Sequence, residues 1–146
     1  MISNRCHYAL RAMLELALRE GAGPVTIADI ATAQKIPARF LEAIMRQLKQ
    51  AGLADSMRGK EGGYFLARPA TKIHIGDVLA LFEGPLFTDV EQRGPHAIVD
   101  TQQDVFTHVW RDAEAALKTL FSKSTFARIA EQERKHRYST SPDYSI

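Results

Sequence analysis

The sequence predicts a mainly α-helical fold carrying one small β-hairpin, and three observations predict it. Apolar residues recur at i, i+3, i+4 and i+7 in several separate segments, the spacing of helices that bury one face. Two short runs, Leu53 to Met57 and Tyr64 to Ala67, flank the glycine-rich turn Arg58-Gly59-Lys60-Glu61-Gly62-Gly63 and read as paired strands. Glycine and proline punctuate the chain at Gly21-Ala22-Gly23-Pro24, Gly52, Gly84-Pro85 and Gly94-Pro95, which sets the element boundaries.

Ser3 or Asn4 can cap a first helix that runs to about Glu20, with Leu10, Met13, Leu14 and Ala17 as its core-facing stripe. Thr26 opens a short second helix, because Thr26-Ile27-Ala28-Asp29 has the spacing of a capping box. Pro37 suits the first turn of a third helix, where its missing N–H costs nothing. Phe40, Leu41, Ile44, Met45 and Leu48 form its apolar stripe, and Gly52 is the expected left-handed stop. Arg39, Glu42, Arg46 and Lys49 fall off that stripe and leave a polar, mostly basic face. After the hairpin, Ile73, Ile75, Val78, Leu79 and Phe82 mark another helix. Residues 86–101 hold no period and read as an irregular loop. A long helix is expected from about Gln102 to Lys123, with Phe106, Val109, Ala113, Leu117 and Leu120 on one side and Trp110, Ala116 and Phe121 widening the stripe. It offers more apolar surface than a small neighbouring domain can cover, so it reads as a dimerisation helix; the alternative is that it folds back on the first helix. Thr125 can cap a last short helix ending near 131, and the polar stretch 132–146 reads as a disordered tail.

At 146 residues, 45% hydrophobic and 25% charged, the chain has the composition of a soluble globular domain. No apolar run approaches the roughly 18 residues of a membrane span, and Arg11 and Glu15 interrupt any signal-like core, so a cytoplasmic protein without membrane contact is expected. The net charge is only +2, but residues 1–68 carry ten Lys/Arg against six Asp/Glu while residues 69–146 carry nine against eleven. An anionic partner therefore belongs to the N-terminal half. Cys6 is the single cysteine, which rules out a disulfide framework or an all-cysteine metal site within the chain.

Two short helices joined tightly, the second more basic and followed at once by a hairpin with Arg58 and Lys60 at its tip, make a winged helix-turn-helix: residues 1–85 as the DNA-binding domain, then the loop and the dimerisation helix. The tip glycines would let backbone N–H groups approach phosphates. A helical interaction module with an ordinary hairpin is the alternative on the residues alone. The turn lacks P-loop spacing, since no Ser or Thr follows a Gly-Lys pair. His7, His74, His96, His108 and His136 are scattered with no nucleophile at triad spacing, so an enzyme is not expected.

These segments resemble a family of bacterial winged-helix regulators that includes IscR, NsrR and CymR. The resemblance rests on Tyr8-Ala9-Leu10-Arg11-Ala12-Met13-Leu14, Phe40-Leu41-Glu42, Leu48-Lys49-Gln50-Ala51-Gly52-Leu53 and the hairpin run from Arg58 to Pro69. It continues at Ile75-Gly76-Asp77-Val78, Glu83-Gly84-Pro85-Leu86 and Trp110-Arg111-Asp112. It implies a homodimer on a pseudo-palindromic operator of double-stranded DNA, the third helix in the major groove and the wing in the minor groove. Ala38, Arg39, Phe40 and Glu42 are then the groove-facing candidates and Arg58 the minor-groove candidate, which moves Phe40 out of the core where spacing alone puts it. Arg39 suits guanine O6 and N7, and Glu42 suits cytosine N4. Arg46, Lys49 and Lys60 suit phosphates, and Thr26, at the start of the second helix, is a further DNA-binding candidate.

Many members of that family sense through an iron–sulfur cluster held by three loop cysteines. Leu86 to Val105 contains none, only Asp89, Glu91, His96, Asp100 and Asp104 as ligand types, so no cofactor is expected and the chain resembles the cluster-free branch. Members of that branch can respond through a regulatory partner protein or a thiol. Cys6 beside His7 is a candidate redox sensor, although a lone cysteine is commonly a small buried hydrophobe. An atypical metal site shared between subunits through Cys6 and His7 is the remaining option.

Overall fold

A computed structural model describes residues 2–84 and 105–140. The elements follow as α1 (Asn4–Leu18), α2 (Ile27–Gln34), α3 (Ala38–Gln50), β1 (Ala54–Met57), β2 (Gly63–Leu66), a 3-10 turn at Ala70–Lys72, α4 (Ile75–Glu83), α5 (Val105–Lys123) and α6 (Phe126–Thr140). The expected irregular loop and residues 102–104 of the long helix lie outside the described residues.

Helix α1 is the hub, packed by α2, α3, α4, α6 and β2. Its N-terminus is set by Ser3, whose hydroxyl accepts the Cys6 N–H at 3.1 Å. Cys6, Ala9, Ala12, Met13 and Leu16 bury completely or nearly so and meet Ile30, Leu41, Ile44, Met45, Leu48, Ile73 and Val78 in one core. Truncating one of its large aliphatic side chains to Ala costs about 2–5 kcal/mol. Helix α3 ends as its sequence directs. Gly52 adopts φ +75°, its N–H bonds Lys49 O at 3.0 Å, and the Leu53 N–H bonds Leu48 O at 3.0 Å, the paired bonds that satisfy the last turn's carbonyls.

Beyond α4 the structure overturns two readings of the sequence. First, the alternative in which the long helix folds back on α1 is not met; α6 packs there instead, with Phe126 1% exposed and its N–H bonding Ile73 O at 2.9 Å. Second, α6 does not stop near 131 but continues through Thr140, across residues expected to be disordered. The i,i+4 pairs Lys135–Glu131 (3.5 Å) and Arg137–Glu133 (2.8 Å) support this polar stretch as a helix. Helix α5 packs mainly on α4 and buries none of its residues fully.

Candidate nucleic-acid interface

The amphipathicity of α3 places its polar residues together. Leu41, Ile44, Met45 and Leu48 turn inward, so Ala38, Arg39, Phe40, Glu42, Arg46 and Lys49 are exposed along the opposite side. Phe40 is 42% exposed, which corrects the core position its spacing suggests. Its ring contacts two neighbours: Tyr8 of α1 stacks at 5.9 Å between centroids, and the Arg39 guanidinium lies 4.7 Å from the ring centroid. These contacts restrain Arg39 at the start of the helix. Arg5 braces the same helix further along, donating to Gln47 Oε1 at 2.9 Å while lying over Phe82 of α4.

Beside α3 stands the wing. Strands β1 and β2 pair antiparallel in the register Ala54↔Leu66, Asp55↔Phe65, Ser56↔Tyr64 and Met57↔Gly63, with Arg58 to Glu61 exposed at the tip. The glycines divide by role. Gly59 (φ +115°) has no neighbour that a Cβ would meet, whereas a Cβ on Gly62 would strike the Met57 carbonyl. A Cβ on Gly63 would lie 2.6 Å from the Val25 carbonyl. Val25 and Tyr64 exchange both backbone hydrogen bonds at 2.8 Å, so the segment leading into α2 is stitched to the wing. Gly62 and Gly63 thus permit close backbone packing at the base of the wing. The Val25 pairing has no local sequence signal.

Two further candidates acquire defined partners. The Thr26 hydroxyl accepts the Asp29 N–H at 3.1 Å and, being exposed, keeps its own proton free to donate outward. Only this half of the expected capping box forms. Lys49, read as a phosphate ligand, donates to Ser56 Oγ at 2.6 Å and approaches Asp55 at 4.0 Å, so it ties α3 to β1. Arg46, Arg58 and Lys60 are exposed on the α3 and wing surface.

Cys6 lies in surroundings unlike those of a reactive thiol. It is 0% exposed, and burial, then the charge of Glu83 and the hydrogen bond to it, push its pKa from 9.0 to about 11. Glu83 accepts the Ser3 N–H at 2.7 Å and the Ser3 hydroxyl at 2.6 Å, bonds that hold its carboxyl below the usual range. The electropositive setting a redox cysteine needs is therefore replaced by a carboxylate, against the sensor role considered for Cys6. His7, next in sequence, is exposed on another side of α1.

Along α5, Phe106, Val109, Trp110 and Leu120 are between 49% and 59% exposed, while Ala113 and Leu117 are half-buried. Among the described residues no helix is long and apolar enough to cross a membrane.

A helix-turn-helix joined to a two-stranded wing, with a cationic exposed face on its third helix, defines a winged-helix DNA-binding transcription regulator. The family model described as "Rrf2: Iron-dependent Transcriptional regulator" matches residues 2–132, and the chain belongs to that family. The HTH-type transcriptional regulator IscR of Escherichia coli is 33% identical over 134 residues, covering 90% of this chain and 81% of IscR. CymR, the global cysteine regulator of B. subtilis, superposes with a TM-score of 0.77 at 29% identity, over 90% of this chain and 97% of CymR. IscR of T. potens gives the same TM-score and identity over 99% of this chain and 96% of its own. These relatives are transcription regulators, not enzymes.

The family description raises the question of iron, and the donors described do not fit a thiolate-held centre. The one cysteine is buried and held as a neutral thiol. Among the described residues no three His, Cys, Asp or Glu side chains gather to hold a metal ion. Three-cysteine ligation of an iron–sulfur cluster within the chain is ruled out by composition.

Proposed function

We propose that the protein is a cytoplasmic, sequence-specific repressor that binds a pseudo-palindromic operator as a homodimer and works without a three-cysteine cluster. The observation that carries this reading is the rigid pairing of reader elements. Arg39 is restrained by the Tyr8–Phe40 stack at the start of α3, and the wing bearing Arg58 is stitched to the segment before α2. In this reading Arg39 and Glu42 contact base edges in the major groove, with Ala38 and Phe40 beside them. Arg58 enters the minor groove, while Thr26, Arg46 and Lys60 hold phosphates. The exposed apolar side of α5 supplies the second reader, since a dimer presents two such units to half-sites one helical turn, about 34 Å, apart.

The test is selection of bound duplexes from a random pool with the wild-type chain, followed by binding measurements on the selected site. A palindromic consensus is expected, and Arg39→Ala or Glu42→Ala should lose about 1–3 kcal/mol on it while relaxing base preference. If the chain enriches no sequence and shows no salt-dependent affinity for any duplex, direct DNA readout is wrong. The rival, an interaction module that has kept the fold but works through a partner protein, would then stand.

A further inference from the structure

We propose that the cleft between α1, the turn joining α2 to α3, and α6 is a binding site for a phosphate-bearing anion, separate from the DNA-reading face. The cleft has a volume of about 690 Å³ and gathers five cations, Arg11, Arg19, Lys35, Arg134 and Arg137, against the carboxylates Glu15 and Glu133. Both carboxylates are already engaged. Glu15 is 3% exposed and binds Arg19 at 3.2 Å while accepting Gln34 Nε2 at 3.3 Å. Glu133 binds Arg137 at 2.8 Å. Among the described residues Arg134 reaches only the Leu18 carbonyl, at 3.3 Å, and neither Arg11 nor Lys35 meets a carboxylate. Three positive charges thus converge on one cleft without a counter-charge. Such convergence raises the local positive potential and favours an anion at the cleft.

The backbone adds an independent observation. Lys35 stands at φ 54°, ψ 46° at the end of α2, and among the described residues it is the one non-glycine with positive φ. Glycine would occupy that conformation with less strain, yet the chain places a long cationic side chain there, on the rim of the cleft. Four of the five cations are arginines, whose planar forks match phosphate oxygens two at a time. The buried Glu15–Gln34–Arg19 network fixes the floor before any ligand arrives.

A phosphorylated small molecule and a DNA backbone phosphate from beyond the operator present the same chemistry, and the experiment separates them. Inorganic pyrophosphate is titrated calorimetrically into the full chain, the combined variant Arg11→Gln/Lys35→Gly, and Arg58→Ala as a wing control. Salt dependence of binding is measured in parallel on a short operator duplex and on one extended at both ends. Wild type and Arg58→Ala should bind pyrophosphate, and the combined variant should lose about tenfold or more in affinity. A free anion is the ligand if that loss comes with unchanged salt slopes on both duplexes. A backbone phosphate is the ligand if the variant's slope falls on the extended duplex alone. The proposal is overturned if wild type and combined variant take up pyrophosphate equally, or not at all, with identical slopes. Thermal melts guard against misfolding, because relief at Lys35 should leave the variant at least as stable as wild type. If no operator is found, random-sequence duplexes of the two lengths carry the same slope comparison, since phosphate contacts are sequence-independent.

Discussion

The thiol of Cys6 offers the most quantitative prediction. At pH 8 a thiol with the ordinary pKa of 9.0 is about one-tenth thiolate, whereas one at about 11 is roughly one-thousandth thiolate. Alkylation of the folded protein should therefore run about a hundredfold slower than in urea from ionisation alone, and slower still because the sulfur is 0% exposed. The same shift links stability to pH. The folded state holds the Cys6 proton more tightly than the unfolded chain does, so this contribution is complete below pH 9 and is lost as pH rises toward about 11. Two pKa units correspond to about 2–3 kcal/mol. Iodoacetamide labelling followed by intact-mass measurement, native and denatured, reads the first effect; urea midpoints between pH 8 and 11 read the second. Glu83→Gln should lower the thiol pKa yet leave it above 9.0, since burial is the larger cause. Native labelling at pH 8 within a fewfold of the denatured rate would refute the reasoning and return Cys6 to the list of sensors.

Three other expectations concern the reader and its assembly. Gly63→Ala drives a methyl into the Val25 backbone and should destabilise the fold by about 1–3 kcal/mol, as overpacking does; an unchanged urea midpoint would contradict the stitched wing. Lys49→Met removes the bond to Ser56 but should leave the salt slope of operator binding nearly unchanged. A fall of about 0.9 in that slope would instead make Lys49 a phosphate contact. Leu120→Asp, on the exposed side of α5, should shift sedimentation toward monomer and weaken operator binding with it. A variant that sediments like wild type argues for assembly through another surface.

The elements legible in the sequence were those whose ends and faces are set within a few neighbours. Ser3 and Thr26 cap α1 and α2, Gly52 stops α3, and the stripe of Leu41, Ile44, Met45 and Leu48 turns the basic residues outward. Features that depend on distant partners were not legible. Phe40 fits the apolar spacing of α3, and only Tyr8 and Arg39 decide that its ring is layered at the surface. Gly63 looks like any hairpin glycine until Val25 is found against it. Cys6 is shaped first by burial and then by Glu83, far along the chain, which no local pattern connects to it. The length of α6 was hidden because its last turns are polar, held by i,i+4 ion pairs in place of an apolar stripe.

The hydrogen bonds between Val25 and Tyr64 carry a consequence for control. They join the segment before α2 to the wing, and one core around α1 gathers α2, α3 and the wing, so neither part can tilt without opening the other. A reader locked in this way has few internal degrees of freedom to tune. On the dimeric reading, what an incoming signal can alter is the spacing and phase of two whole units along the double helix, as when the jaws of a calliper are reset without being reshaped. Control would then act on which operators are spanned, and the bases recognised within each half-site would stay the same.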